Sequence, residues 1–266
     1  MSGEPDQPPA SPIHNGAMWA RLRQITEARI GLQRSGASLA TRPLLEFKLA
    51  HARARDAVQA ELDDAKLAAT LGGFGLPVLT LASAAPDKKT YLMRPDLGRR
   101  LHPDAAATIA PYAGAYSLAI VVSDGLSAGA VQMHAAPVIA AAIKLLQPED
   151  WRIAPLTIAR YGRVALGDAI ANMIGADCVA VLIGERPGLS APDSMGCYIT
   201  WRPTANTTDA DRNCISNIRP NGVGYVDAAF KLAYLAQSIR ARRLSGVLLK
   251  DKSTQLTFDG APPKPA

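Results

Sequence analysis

Residues 164–194, VALGDAIANMIGADCVAVLIGERPGLSAPDS, restrict the fold more than any other stretch of the chain. Leu166, Ile170, Met173 and Ile174 recur at helical spacing, and Gly175 stands where a helix C-cap is wanted. Residues 178–183, CVAVLI, form a short run with no polar interruption, as expected of a central strand covered on both faces. The loop that begins Gly184-Glu185-Arg186-Pro187-Gly188 cannot extend that strand, so it emerges at the strand's carboxyl end. In open α/β sheets ligands rest at that edge. The unit therefore predicts a helix, a buried strand and a ligand-facing loop with one carboxylate, Glu185.

The rest of the chain agrees with an α/β reading. Strands are expected at 78–82, 118–122, 153–159, 179–183 and 197–201, with a short last one at 247–249. Helices are expected at 164–174 and 226–242, and at 128–146 with an interruption at Pro137. Strands alternating with helices argue for a mostly parallel, doubly wound, Rossmann-like sheet. The strands at 179 and 197 have no helix between them, so one edge departs from that rule. Before the first strand, residues 19–33 and a long segment from Pro43 to about residue 71 read as helices. The second is only half apolar and needs another surface to cover it. The glycine cluster at 71–77, LGGFGLP, precedes a strand instead of following one. It reads as a linker, because a phosphate-cradling loop needs the order strand, glycines, helix. The expected division is a disordered arm at 1–16, rich in Pro, Ser and Gly, a helical segment at 17–75 and the sheet domain at 76–266.

Composition narrows the function. Apolar residues are 48% of the chain, yet no stretch approaches ~20 uninterrupted apolar residues, so a membrane span is not expected. The first residues lack the basic-then-apolar layout of a secretion signal. Three widely spaced cysteines, Cys178, Cys197 and Cys214, point to a reducing cytoplasm and to no structural metal. The formal charge is +6 with aromatics at only 5% and no basic run. That favours an acidic partner protein or a phosphate-bearing ligand over nucleic acid.

In a parallel sheet the strand ends at 123–126, 160–163, 184–186 and 250–251 would share one edge. Val164 falls in the first turn of a helix on that edge, where free backbone N–H groups can meet a ligand acceptor. Glu185 is either an acceptor for ligand amides or hydroxyls, or one half of an ion pair with Arg186 or Arg163. Asp124, before Gly125, reads more readily as a helix-capping turn than as a ligand contact. Residues 207–220, TTDADRNCISNIRP, are dense in Asx and Ser/Thr and read as a structured loop. Cys214 within it has Arg212 nearby but no local histidine, which favours packing or ligand contact over nucleophilic catalysis. There is no G-x-S-x-G, H-E-x-x-H or Walker A pattern, and the glycine fingerprint that a free-standing nucleotide-dependent oxidoreductase would show is missing.

Six blocks carry a resemblance: EFKLAHARARD at 46–56, YLMRPDLGRR at 91–100, SDGLS at 123–127, GRVALGD at 162–168, GERPGL at 184–189 and DRNCISNI at 211–218. With these in order, the chain closely resembles the small subunit (light chain) of ethanolamine ammonia-lyase. The resemblance implies an adenosylcobalamin-dependent carbon–nitrogen lyase that converts ethanolamine to acetaldehyde and ammonia by a radical mechanism. It implies a hetero-oligomer in which the large catalytic subunit binds ethanolamine and holds the catalytic groups, while this chain closes over the cobalamin. Val164, Glu185 and Cys214 stand inside matching blocks and would be the cobalamin contacts, none of them a catalytic acid or base. The chain has no D-x-H-x-x-G, the pattern by which other cobalamin proteins set a histidine on cobalt; the family likeness implies that the benzimidazole stays there. It also implies a cytoplasmic setting, in family assemblies often inside an ethanolamine-utilisation microcompartment.

Overall fold

A computed structural model describes residues 16–253; the arm expected at 1–16 lies outside these residues except for Gly16. Backbone contacts divide the chain between Ala52 and Arg53. The first unit contains α1 (Gly16–Ile25), a two-residue hairpin of β1 (Arg34–Ser35) and β2 (Ser38–Leu39), and the start of α2 (Thr41–Gln59). No residue from 17 to 61 is buried, and Leu44, Leu45, Phe47 and Leu49 are all exposed. The division thus falls inside α2, not at the glycine cluster.

The expected helix from 43 to 71 is two helices. Asp63 ends the continuity by capping α3 (Asp64–Gly72), its carboxylate accepting the Lys66 N–H at 2.9 Å. Leu67 and Leu71 of α3 belong to the main core of the second unit.

That unit is built on β3 (Val78–Ala82), β4 (Tyr116–Ser123), β5 (Leu156–Arg160), β6 (Ala176–Gly184), β7 (Met195–Trp201) and β8 (Arg212–Ile218). Their order across the sheet is β3-β5-β4-β6-β7-β8. The first four run parallel, whereas β7 is antiparallel to both β6 and β8. The sheet is therefore mixed. The physical cause is the helix-free link at 185–194: a short return can only lay the next strand antiparallel.

Burial alternates along the central strands as two cores require. Leu118, Ile120 and Val122 of β4 and Cys178, Ala180 and Leu182 of β6 face one cluster, covered by α3, α6 (Ala128–Leu146) and α8 (Tyr225–Arg242). Ala119 and Val121, with Val179, Val181 and Ile183, face the other, covered by α5 (Ala105–Ile109) and α7 (Leu166–Ile174). Each large side chain so buried contributes roughly 1.5–3 kcal/mol of transfer free energy. α6 runs through Pro137 unbroken. With the 3-10 turn after it, Ala128–Glu149 is long and apolar enough to cross a bilayer, but half of it is buried in this core. Gly175 closes α7 at φ +83°, where a Cβ would run into the Gly114 carbonyl.

Three further expectations change. The strand at 153–159 starts only at Leu156, with Ile153 making an isolated bridge to Leu118. Residues 246–248 form a 3-10 turn instead of a strand, held by Asn213, which accepts from the Gly246 N–H at 2.8 Å and donates to the Leu249 carbonyl at 2.8 Å. The polar stretch around Cys214 is strand β8 instead of a loop. It lies at the sheet's outer edge, so only Arg212, Ile215 and Ile218 are buried, Asn213 and Asn217 are half-buried, and Cys214 and Ser216 are exposed.

Candidate functional site

The carboxyl ends of the parallel strands offer two places for a ligand. One is the fork between β4 and β5, whose chains leave to helices on opposite faces of the sheet. In open α/β sheets that crevice is the usual ligand position. Here the chain's own residues fill it. Asp124 is 1% exposed and its Oδ1 accepts the Tyr161 N–H at 2.7 Å, so its carboxylate reaches across to the β5 loop instead of capping α6. Lys88, from α4 (Lys88–Met93), lies with its Nζ 3.7 Å from Asp124 Oδ2 and donates to the Gly125 carbonyl at 3.3 Å. Ser123 Oγ donates to the Ala159 carbonyl at 2.8 Å and accepts the Gly162 N–H at 3.1 Å. The fully buried Tyr91 donates its hydroxyl to the Gly162 carbonyl at 3.1 Å, under the Arg163 guanidinium 4.4 Å away. Burial pushes the Asp124 carboxyl up, against Lys88 and the backbone donors of Tyr161, Gly125 and Gly162. The fork is closed.

The other place lies beyond β6. Glu185 begins the link to β7 and is half-buried; its N–H donates to the Ser194 carbonyl at 3.0 Å. Its carboxylate accepts the Ser194 hydroxyl at 2.7 Å and the Asn217 N–H at 3.2 and 3.3 Å. These hydrogen bonds, not an ion pair with Arg186 or Arg163, hold it. The link itself is tied to α6: Ser127 Oγ donates to the Pro192 carbonyl at 3.1 Å, and His134 Nε2 lies 3.0 Å from the Asp193 carbonyl. Gly196 lies beneath, where a Cβ would stand 3.0 Å from Glu185 Oε1 and 3.2 Å from the Tyr198 ring.

Cys214 is exposed on β8, in register with Tyr198 of β7, which is in register with Val181 of β6. Side chains at paired positions share a face, so Tyr198 and Cys214 lie on the side covered by α7. Desolvation of its sulfur pushes the Cys214 thiol up, partly offset by the Tyr198 hydroxyl, and Glu185 adds to the rise. With its pKa raised and no base beside it, Cys214 is not an activated nucleophile. Val164, ahead of α7, packs against the same apolar cluster as Tyr198. Leu166, Gly167 and Asp168 donate to the carbonyls of Arg163, Val164 and Ala165, but the amides of Val164 and Ala165 meet no acceptor among the described residues. Below them Arg212, buried on β8, locks α7 to the sheet through a bidentate pair with Asp168 at 2.6 and 2.7 Å and a bond to Thr200 at 3.0 Å.

The fold therefore brings Glu185 and Cys214 to one shelf and sets Val164 on the same face. It inserts Tyr198 between them, a residue that sequence reasoning placed only as part of a strand. Its alternation opposite Cys197 was visible; its pairing with Cys214 is a matter of register.

The profile described as ethanolamine ammonia-lyase light chain (EutC) matches residues 16–250. The chain belongs to that family. A relative from Azotobacter vinelandii, named ethanolamine ammonia-lyase small subunit, is 51% identical over 247 residues, covering 91% of this chain and 92% of the relative. One of the same name from Ralstonia nicotianae is 49% identical over 255 residues, 94% of each chain. A third, from Xanthomonas campestris pv. campestris, is 52% identical over 239 residues, 88% of each. The family match contains both the closed fork and the whole shelf. None of these findings supports a free-standing oxidoreductase.

Proposed function

We propose that this chain is the small subunit of an ethanolamine ammonia-lyase, and that its shelf beyond β6 holds adenosylcobalamin against a large catalytic subunit. The observation that carries the cofactor reading is unspent hydrogen-bonding capacity on one face. Glu185 Oε1 has a single long contact, to Asn217 at 3.3 Å, and the Val164 and Ala165 amides have no acceptor among the described residues. A corrin ring is fringed with carboxamides, which both donate and accept. Glu185 would take their N–H groups, the Val164 and Ala165 amides their oxygens, and Cys214 would offer a small, weakly polar contact. The absence of a side chain at Gly196 keeps the shelf low between Glu185 and Tyr198. When bound, adenosylcobalamin supplies the radical chemistry, through homolysis of its cobalt–carbon bond. This chain's residues bind and orient; none of them moves a proton in the reaction.

The relatives' name, small subunit, supports a hetero-oligomer with a large subunit, to which we assign the binding of ethanolamine. We read the parallel β3-β5-β4-β6 part of the sheet as Rossmann-like, extended by an antiparallel pair that carries Tyr198 and Cys214. We place the complex in the cytoplasm, within an ethanolamine-utilisation microcompartment. The three unpaired cysteines suit a reducing compartment.

The test is co-expression with the large subunit and addition of adenosylcobalamin and ethanolamine. Acetaldehyde should form only when both chains and the cofactor are present; formation without this chain, or by this chain alone, overturns the proposal. Glu185→Ala should weaken cobalamin binding about tenfold, on the order of one charge-assisted hydrogen bond. The Michaelis constant for ethanolamine should change less. A raised Michaelis constant with unchanged cobalamin affinity would remove Glu185 from the cofactor face.

A further inference from the structure

Tyr198 stands at the centre of the shelf, yet packing alone does not explain its hydroxyl. We propose that Tyr198 is a fourth residue of the cofactor face, a positioning residue whose hydroxyl orients the Cys214 thiol and meets a polar group of the corrinoid periphery. The proposal rests on the corrinoid reading above and adds a residue to it.

Three observations carry it. Tyr198 is paired in register with Cys214 on one side and Val181 on the other, and it packs against the cluster that receives Val164. Its ring also closes one side of Gly196, whose other side is Glu185. It is the side chain that relates all three expected contacts.

Three of the other six tyrosines supply a contrast, whereas the hydroxyls of Tyr112, Tyr161 and Tyr234, like that of Tyr198, make no hydrogen bond among the described residues. Tyr91 gives its hydroxyl to the Gly162 carbonyl, Tyr116 to the Tyr112 carbonyl, and Tyr225 pairs with His134. Each of those hydroxyls is used on a strong protein partner. The Tyr198 hydroxyl makes no hydrogen bond among the described residues; its cross-strand neighbour is Cys214, whose sulfur is a weak acceptor and whose thiolate a hydroxyl there favours. Phenylalanine would pack as well. A half-buried hydroxyl beside a thiol and a carboxylate keeps a donor and an acceptor for something that arrives from outside the chain.

The test uses the complex of this chain with its large subunit and hydroxocobalamin as probe, followed by absorbance. Tyr198→Phe keeps the ring and the fold, which an unchanged melting temperature checks. It should raise the cobalamin dissociation constant roughly five- to tenfold, the size of one hydrogen bond. In the absence of cobalamin it should also slow alkylation of Cys214 by iodoacetamide several-fold at pH 8, because the group that favours the thiolate is gone. Cys178 and Cys197 are buried with their thiols pushed up, so peptide mass spectrometry reads Cys214 separately. Adding Cys214→Ser to Tyr198→Phe should give a combined loss of affinity smaller than the sum of the two single losses. Unchanged affinity and unchanged alkylation in Tyr198→Phe overturn the proposal. A wild-type complex that binds no hydroxocobalamin overturns the corrinoid reading instead, and the alkylation rate still decides whether Tyr198 governs Cys214.

Discussion

The fork between β4 and β5 and the shelf beyond β6 lie on the same sheet edge, and each contains a carboxylate among hydrogen-bond donors. At the fork Asp124 is 1% exposed and is enclosed by Lys88, Tyr161 and Gly125. At the shelf Glu185 is half-buried and keeps lone pairs free, beside an unspent tyrosine hydroxyl and an exposed thiol. What distinguishes them is the next element in the chain. A helix follows β4 and β5, and α4 covers the gap between their loops. After β6 the chain turns straight back, so no helix covers that strand end and the antiparallel pair β7–β8 widens the exposed surface. The usual rule for open α/β sheets directs attention to the fork. In this molecule side chains of the protein itself fill the fork, and the departure from parallel winding creates the shelf that we propose as the site.

That contrast can be broken most sharply at the fork. Asp124→Ala would leave Lys88, 7% exposed, without its counter-charge and the Tyr161 N–H without an acceptor. Breaking a buried pair on one side costs about 3–5 kcal/mol. We expect a large fall in the denaturation midpoint, while the fraction that remains folded binds hydroxocobalamin as the wild type does. If affinity fell with little loss of stability, the fork would be a ligand site after all.

The converse holds at the shelf. Gly196→Ala places a Cβ 3.0 Å from Glu185 Oε1 and 3.2 Å from the Tyr198 ring. Overpacking of this kind costs about 1–3 kcal/mol when the neighbours cannot give way. Glu185 is half-buried at the start of a loop and can give. The expected cost is therefore at the low end in stability, with cobalamin affinity reduced several-fold, read by chemical denaturation and by absorbance titration. A variant that lost stability and kept its affinity would show that Glu185 and Tyr198 form a packing unit only.

How much of this could be read from residues alone follows the same division. The run from Cys178 to Ile183 and the stripe of α7 were legible because both faces of β6 and one face of α7 are core, and periodicity reports core. Glu185 was legible as the residue where that strand ends, whereas Val164, expected in the first turn of α7, lies two residues ahead of its start at Leu166. β8 was not, since an edge strand can leave Ser216 exposed and use the side chains of Asn213 and Asn217 on neighbouring segments, and the same residues signal a turn. The break between α2 and α3 was within reach: Asp63-Asp64 is a capping signal inside an otherwise continuous helical pattern. Tyr198 was out of reach, because its neighbours belong to other strands and register is decided by the whole sheet. The plugging of the fork was hidden for the same reason, as Lys88 and Asp124 are 36 positions apart in sequence.

The smallest effect expected concerns the tether that links α6 to the shelf. His134 Nε2 lies 3.0 Å from the Asp193 carbonyl, which can only accept, so the neutral ring carries its proton there and its Nδ1 accepts from the Tyr225 hydroxyl at 3.0 Å. Desolvation lowers the His134 pKa below 6.5, with Arg219 acting in the same direction and Asp193 and its backbone opposing. A base held below its unfolded pKa binds fewer protons folded than unfolded in the window between the two values. Its contribution is therefore complete above about pH 6.5 and is lost as pH falls through the folded value. Protonation would add a hydrogen at Nδ1, which the Tyr225 hydroxyl now donates to. The neighbouring Ser194 holds Glu185, so acid should loosen the shelf as well as the tether. Between pH 7.5 and 5.5 the wild type should lose cobalamin affinity and stability by about one hydrogen bond, roughly 0.5–1.5 kcal/mol. His134→Gln has no titrating ring, so its slope over that range should be flatter, although its stability at pH 7.5 is lower. Equal slopes for the two proteins would mean that the tether at Asp193 does not transmit to Glu185.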